Sequence, residues 1–174
     1  MLGLQKKIIF LDRDGVINRD YGYVSKIEDF EFIDGVFDAC RYFISLGYEI
    51  IVVTNQSGIG RDYYTIEDFL KLTDFMIEGF KKENIDILKV YYCAHAPEEQ
   101  CECRKPAIGM ILQSLNDFNI DLQNSWLIGD KVSDVETAIN AKIGNKILIS
   151  TDIKENKEYL VAKSLFATIN IIKN

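Results

Sequence analysis

The sequence predicts one α/β domain of three layers, built on a mostly parallel sheet. Short apolar runs, typical of strands buried on both faces, alternate along the chain with helical patterns. Three of these runs end abruptly in acidic or hydroxyl residues and glycines, and ligands bind at the carboxyl ends of parallel strands. The chain has 174 residues, 48% of them hydrophobic and 27% charged, with no linker or repeat, so one domain over residues 1–174 is expected.

Charge and hydropathy exclude several classes of protein. The net charge of -7 argues against nucleic-acid binding, which usually needs a basic surface. No apolar stretch reaches the roughly 18 residues that span a bilayer, and no signal-peptide region precedes the first strand. We therefore expect a cytoplasmic protein with no membrane partner. An acidic protein that binds a phosphate needs a local group of cations and backbone amides.

The first strand, Ile8 to Leu11, leads directly into two acids, Asp12 and Asp14. Phosphoryl transfer needs an oxygen nucleophile, a proton donor and a divalent cation in one place. Asp12 could form an aspartyl-phosphate, while Asp14 could protonate the leaving oxygen and then deprotonate the attacking water. Mg²⁺ would offset the repulsion between carboxylates and phosphate. The alternative is that the two acids only cap the segment that follows.

A polar and aromatic loop follows, and then a helix. Asp20, Tyr21, Gly22 and Tyr23 could overhang a pocket, where the tyrosine hydroxyls would contact a polyhydroxylated ligand or only pack a turn. Apolar residues from Val36 to Ile44 predict the first helix, which Gly47 ends; Cys40 belongs to its apolar face.

The second strand, from Tyr48, ends in a neutral hydrogen-bonding segment. Thr54 and Asn55, with Gln56 and Ser57 in the turn, could bind phosphate oxygens without adding charge. The alternative is a polar connection in which serine caps a helix. A long helix over Thr65 to Glu83, capped by Thr65, and a third strand over Ile87 to Tyr92 come next.

Three of the four cysteines and the only histidine lie within eleven residues, as Cys93, His95, Cys101 and Cys103. Three thiolates and an imidazole predict a closed, structural zinc site. The odd number of cysteines and the adjacent histidine disfavour disulfides. With His95 on zinc no histidine remains for acid-base catalysis, which supports Asp14. Arg104 and Lys105 follow the last ligand directly, so zinc would hold these two cations in place.

The last site element is a strand that ends at Gly129 and Asp130, after a helix over residues 108–118. Asp130 would complete a magnesium site with Asp12 and the main-chain carbonyl of Asp14. Ser133 or Asp134 could cap the next helix, which runs through Ala141, and Asp134 could instead orient the metal ligands. A fifth strand is expected over 146–150, residues 152–160 are ambiguous, and 165–172 could form an edge strand or a frayed end.

The strand-end motifs resemble the four motifs of the haloacid dehalogenase phosphatase superfamily, over residues 10 to about 151. These motifs are Asp12-Arg13-Asp14-Gly15, Thr54-Asn55, Lys105 and Gly129-Asp130. The zinc motif, which continues into Arg104-Lys105-Pro106, resembles the branch of heptose-bisphosphate and histidinol-phosphate phosphatases. The loops at 22–24 and 54–59 look like the heptose type. The five residues between His95 and Cys101 look like the histidinol-phosphate type.

This resemblance implies a Rossmann-like fold without a large cap domain and a Mg²⁺-dependent phosphomonoesterase. It implies Asp12 as nucleophile, Asp14 as general acid and base, and Thr54 and Lys105 as stabilisers of the transferring phosphoryl group. Magnesium would bind Asp12, Asp14 and Asp130. The substrate would lie against these residues: Asp20, Tyr21, Gly22, Tyr23, Thr54, Asn55, Gln56, Ser57, Arg104 and Lys105.

The expected reaction removes the C7 phosphate of a heptose 1,7-bisphosphate, a step in making nucleotide-activated heptose for surface glycans. Histidinol phosphate is the alternative substrate. The alternative of another class is a zinc-stapled module that binds a phosphorylated ligand without turnover. A monomer is the default expectation.

Overall fold

The computed structural model describes residues 4–152 and 157–173, which form one six-stranded sheet. All strand pairs are parallel, in the order β3-β2-β1-β4-β5-β6. The strands are β1 (Lys7–Leu11), β2 (Tyr48–Asn55), β3 (Ile87–Cys93), β4 (Trp126–Gly129), β5 (Asn145–Ile149) and β6 (Leu160–Ala162). The predicted α/β class with a parallel sheet is confirmed.

Five α-helices lie between strands in the described part of the chain. They are α1 (Val36–Ser45), α2 (Ser57–Gly60), α3 (Ile66–Lys82), α4 (Gly109–Asp117) and α5 (Val132–Asn140). Thr65 caps α3 as predicted, because its side chain accepts a hydrogen bond from the Asp68 backbone N–H and the Asp68 carboxylate accepts one from the Thr65 N–H. None of the helices in the described part of the chain is both long and apolar enough to cross a membrane.

Alternate residues of the central strands pack on opposite faces of the sheet. In β1, Ile9 and Leu11 join the core that α1 and α3 cover, while Ile8 and Phe10 join the core beneath α4 and α5. All four side chains are fully buried. Burial on both faces explains the uninterrupted apolar run in the sequence, and it gives the three predicted layers.

The strand register brings three motifs to one edge of the sheet. Leu11 pairs with Val52 on one side and with Ile128 on the other, so Asp12 lies next to the end of β4. The Asp12 N–H donates to the Ile128 carbonyl at 3.0 Å. The strand order reverses between β1 and β4, and a crevice for ligands forms at such a reversal.

The C-terminal region differs from the prediction. Residues 165–172 form neither an edge strand nor a frayed end, because Phe166–Asn170 is a 3-10 helix that packs against α1. The edge strand lies earlier, at β6, whose three residues are too few to show a hydrophobic period. Of the ambiguous stretch 152–160, residues 153–156 lie outside the described residues.

Candidate active site

A pocket of about 400 Å³ opens at the carboxyl ends of β1, β2 and β4. Residues from three of the four predicted motifs line it, together with residues that directly follow the fourth, Gly129-Asp130, and residues from the loop after β1. The lining residues are Asp12, Asp14, Asp20, Gly22, Tyr23, Asn55, Ser57, Arg104, Lys105, Lys131, Ser133 and Asp134. The structure therefore brings together side chains that are more than a hundred positions apart in the sequence.

Lys105 and Asp12 form a buried ion pair at the base of this pocket. The ammonium Nζ lies 2.9 Å from Asp12 Oδ1 and 2.5 Å from Asp134 Oδ1, and it donates to the Val53 carbonyl at 2.9 Å. Asp12 Oδ1 also accepts the Arg13 N–H at 2.9 Å. Because Lys105 Nζ and the Arg13 N–H both contact Oδ1, the carboxylate of Asp12 is held in one orientation.

The electrostatics of this group favour a bound cation. Burial raises the pKa of Asp12 to about 8, and the carboxylates of Asp134 and Asp130 add to the shift, although Lys105 opposes it. Burial alone would lower the pKa of Lys105, but Asp12 and Asp134 outweigh it and the pKa is raised. Asp12 and Asp134 thus share one buried ammonium, and the carboxylate of Asp130 lies beside them. A divalent cation would compensate the remaining negative charge.

Asp12, Asp130 and Asp134 each offer one carboxylate oxygen, and these three oxygens lie within 4.8 Å of one another. Such an oxygen-only donor set suits a hard cation such as Mg²⁺. Asp130 Oδ1 is buried and has no hydrogen-bond partner among the described residues. This is expected of an oxygen that coordinates a metal ion. Two glycines permit this close approach. A Cβ on Gly15 would lie 2.1 Å from Asp130 Oδ2, and one on Gly129 would lie 2.1 Å from Asp134 Cγ.

The Asp14 carboxylate is held by hydrogen-bond donors on both of its oxygens. Its Oδ1 accepts from Arg13 Nη2 at 2.9 Å, from Arg13 Nε at 3.2 Å and from Asn18 Nδ2 at 3.0 Å. Its Oδ2 accepts from Gln56 Nε2 at 3.0 Å. Because donors occupy both carboxylate oxygens, the main-chain carbonyl of Asp14 is the group that could serve a metal.

The segment after β2 supports the site from the other side. Asn55 binds the main chain of Lys105 twice, since its Oδ1 accepts the Lys105 N–H at 3.0 Å and its Nδ2 donates to the Lys105 carbonyl at 3.3 Å. Thr54 and Gln56 are buried, and Gln56 Nε2 donates to Thr54 Oγ1 at 2.8 Å. Asn55 and Ser57 line the pocket, whereas Thr54 and Gln56 are not among the lining residues.

Three of the four loop residues that we predicted to overhang the pocket do line it. Asp20, Gly22 and Tyr23 line it. Tyr21 is not among the lining residues, because its side chain is turned outward and its hydroxyl donates to Glu31 Oε2 at 2.5 Å. The ring of Tyr23 packs edge-on against Tyr63, with 4.8 Å between ring centroids.

Lys131 and Ser133 also line the pocket, although the sequence did not predict a site role for them, and so does Asp134, which the sequence left open as a helix cap or a residue that orients the metal ligands. Lys131 directly follows Asp130, and its Nζ lies 3.6 Å from Asp20 Oδ2 across the pocket mouth. Asp134 Oδ2 accepts the Lys131 N–H at 3.0 Å, so the predicted helix-capping role and the site role coincide in one residue. Their position in the sequence could have indicated this role. The residues that directly follow the strand end at Gly129-Asp130 begin a helix that faces the same crevice.

The predicted zinc ligands also come together. Sulfur atoms of Cys93, Cys101 and Cys103 lie 3.0 to 3.5 Å apart, and His95 Nδ1 lies 3.5 Å from Cys93 Sγ and 3.2 Å from Cys103 Sγ. All three thiols are free. Three sulfurs and one imidazole nitrogen, all within 4.8 Å of one another, could hold a tetrahedral metal ion such as zinc.

This cluster is joined to the pocket by the strand register and the chain itself. Cys93 pairs with Asn55 across β2 and β3, and the Cys93 carbonyl accepts the Gln56 N–H at 2.7 Å. The chain runs from Cys103 through Arg104 to Lys105. A metal at the cluster would therefore hold both cations and the segment after β2.

Comparisons with known proteins match this chain to phosphatases. A family model described as polynucleotide kinase 3 phosphatase matches residues 7–173. A Campylobacter jejuni D-glycero-alpha-D-manno-heptose-1,7-bisphosphate 7-phosphatase is 48% identical over 98% of this chain and 98% of its own. A Helicobacter pylori D-glycero-beta-D-manno-heptose-1,7-bisphosphate 7-phosphatase is 46% identical over 96% of this chain and 98% of its own. The chain belongs to the heptose-bisphosphate 7-phosphatase family.

A solved structure shows that this phosphatase family shares the fold. The D,D-heptose 1,7-bisphosphate phosphatase from B. bronchiseptica, complexed with magnesium and phosphate, superposes with a TM-score of 0.85. The match covers 95% of this chain and 97% of that one, at 24% sequence identity. The chain is thus a phosphatase with the haloacid dehalogenase fold that the sequence motifs predicted.

Proposed function

We propose that the protein removes the C7 phosphate of D-glycero-D-manno-heptose 1,7-bisphosphate through an aspartyl-phosphate on Asp12. One observation carries the catalytic part of this proposal, namely the buried Asp12 carboxylate fixed by Lys105 Nζ at 2.9 Å beside two further acids. The names of the relatives described above support the choice of substrate. The pathway that this substrate implies is nucleotide-activated heptose synthesis.

In the proposed mechanism, Asp12 Oδ2 attacks the phosphorus atom in line with the departing sugar oxygen. Lys105 and Thr54 stabilise the charge that spreads over the equatorial phosphoryl oxygens. Asp14 donates its proton to the leaving oxygen and then removes a proton from the water that hydrolyses the aspartyl-phosphate. Magnesium, bound by Asp12, Asp130 and the Asp14 carbonyl with Asp134 nearby, would supply charge neutralisation and orient the phosphate.

We assign zinc to Cys93, His95, Cys101 and Cys103, in a structural role. Four protein ligands close the coordination sphere, so the metal would take no part in the reaction. Its binding energy would become local folding energy for the loop that leads to Arg104. Two observations support this assignment. Three sulfur atoms and one imidazole nitrogen lie close together, and the three cysteines form no disulfide.

A second phosphate on the substrate fits the cations at the pocket wall. Arg104 lines the pocket, and its buried Nη1 has no hydrogen-bond partner among the described residues. Lys131 lines the same pocket with its side chain 58% exposed. Two cations besides Lys105 suit a bisphosphate better than a singly phosphorylated amino alcohol. Asp20, Gly22, Tyr23, Asn55 and Ser57 complete the proposed substrate environment, whereas the predicted contacts Tyr21 and Gln56 are not among the residues that line the pocket.

We further propose that the protein works in the cytoplasm, as a monomer of one domain over residues 1–174. The free thiols of the metal cluster suit a reducing compartment. The continuous sheet with one core on each face supports a single folding unit.

The test is phosphate release in Mg²⁺ from both anomers of the heptose bisphosphate, with histidinol phosphate at equal concentration. Phosphorus NMR of the product identifies which phosphate remains. We expect a strong preference for the heptose, with the C1 phosphate retained. Preference for histidinol phosphate would refute the substrate assignment, and binding without turnover of any ester would favour a non-catalytic module.

A further inference from the structure

The Asp14 carboxyl is surrounded asymmetrically by hydrogen-bond donors. Three N–H groups, from Arg13 and Asn18, converge on Oδ1, whereas Oδ2 receives only the Gln56 amide. Because Oδ1 is occupied by donors, a proton carried by Asp14 must lie on Oδ2. Its direction then depends on which end of the Gln56 amide faces Oδ2.

Gln56 presents its donor end to Asp14. Its Nε2 lies 3.0 Å from Asp14 Oδ2 and 2.8 Å from Thr54 Oγ1, and an ionised carboxylate can only accept. An N–H at this position offers no acceptor for the acid proton, so that proton is directed toward the pocket. The opposite end of the amide would accept the proton and keep it away from the substrate.

Tyr64 fixes the orientation of the Gln56 side-chain amide. Its hydroxyl donates to Gln56 Oε1 at 2.6 Å, and the residue is only 9% exposed. The tyrosine ring is itself held close to α2, because a Cβ on Gly58 would lie 2.1 Å from Tyr64 Cε1. Without the hydroxyl, the buried amide oxygen would lack a donor, and turning toward the Thr54 hydroxyl would satisfy it.

We propose that Tyr64 and Gln56 are positioning residues that aim the Asp14 proton at the leaving oxygen. Neither residue touches the reacting atoms in this scheme; they act through Asp14. The inference rests on the proposed function, in which Asp14 is the general acid, and it reassigns Gln56 from a substrate contact to a support of that acid.

The test compares two leaving groups. Departure of a sugar alkoxide needs a proton, whereas 4-nitrophenolate leaves readily without one. The readout is kcat/KM, which includes leaving-group departure but not the later hydrolysis of the intermediate. A positioned general acid contributes about 10²- to 10⁴-fold to rate. For Tyr64→Phe we expect kcat/KM for the heptose bisphosphate to fall about tenfold, and that for 4-nitrophenyl phosphate to change less than about twofold.

Two further variants sharpen the result. Gln56→Glu places acceptor oxygens against Asp14, and we expect a loss of about 100-fold on the heptose with a much smaller loss on the aryl ester. Tyr91→Phe is the control. It removes a comparable hydroxyl from β3, which donates to Asp117 Oδ2 at 2.5 Å, and it should leave kcat/KM unchanged for both substrates.

Equal losses on both substrates, or no loss on the heptose with Tyr64→Phe, would overturn the inference. Wild-type protein that hydrolyses neither substrate would instead refute the proposed function.

Discussion

Replacing Gly15 by alanine tests whether the close approach of the first and last motifs builds the metal site. Gly15 has φ +84°, and a Cβ there would lie 2.1 Å from Asp130 Oδ2. The left-handed backbone costs an alanine roughly 1–2 kcal/mol. The carboxylate must also retreat from 2.1 Å to at least 3.4 Å to reach ordinary van der Waals contact, and a displacement of only about 1 Å can cost about 100-fold in rate.

We therefore expect Gly15→Ala to lower kcat/KM about 100-fold and to weaken Mg²⁺ activation. Its midpoint of thermal unfolding should fall by about 2–8 °C, since 1 kcal/mol corresponds to about 2–4 °C for a chain of this size. Activity is followed as phosphate release over a Mg²⁺ titration, and unfolding by circular dichroism in magnesium-free buffer.

Gly47→Ala is the matched control. Gly47 has φ +83°, but nothing lies within 4 Å of an added Cβ, and the residue is in the turn between α1 and β2. This variant should show the backbone destabilisation with unchanged kcat/KM and Mg²⁺ dependence. If both alanines lose activity equally, or if Gly15→Ala keeps full activity, the steric argument about Asp130 is wrong.

Three further predictions concern the metals and the acid cluster. Mg²⁺ at about 100 times its dissociation constant should stabilise the fold by about 2.7 kcal/mol, or roughly 5–11 °C by differential scanning fluorimetry, and Asp130→Asn should remove most of that gain. Cys101→Ser should lose bound zinc by elemental analysis together with most of the activity, because Arg104 and Lys105 loosen, whereas Cys40→Ala should retain zinc. An unchanged kcat in zinc-free Cys101→Ser would contradict that link. The pKa of Asp12 is raised to about 8 in the folded state, from about 4 in the unfolded chain. Between pH 4 and pH 8, about the two pKa values, the folded state therefore binds more protons than the unfolded state. Wild-type stability should therefore decline relative to Asp12→Asn as pH rises through that window in magnesium-free buffer, and parallel pH profiles of unfolding free energy would contradict this sign.

The strand ends were predictable because they combine two independent signals. Burial on both faces produces the uninterrupted run from Ile8 to Leu11, and the polarity changes abruptly at Asp12. Parallel strands then bring such ends to one edge of the sheet. The metal cluster was predictable from spacing alone, since three cysteines and the histidine lie within eleven positions of the sequence.

Side-chain direction was not predictable in the same way. Tyr21 and Tyr23 are two residues apart in one loop, yet only Tyr23 lines the pocket, because Glu31 binds the Tyr21 hydroxyl. The ion pair of Asp134 with Lys105 joins residues 29 positions apart through the packing of α5 against the sheet. The strand β6 was missed because three residues show no period.

The most direct test of the account is whether a phosphoryl group forms on Asp12. In Asp14→Asn, 4-nitrophenyl phosphate should still react, since its leaving group needs no acid, but the water that hydrolyses the intermediate would lack its base. Rapid mixing should then release one nitrophenolate per active site in a burst, and mass spectrometry after an acid quench should find the phosphoryl group on the peptide containing Asp12. Linear release without a burst and an unmodified Asp12 peptide, or a phosphoryl group on another residue, would contradict the account.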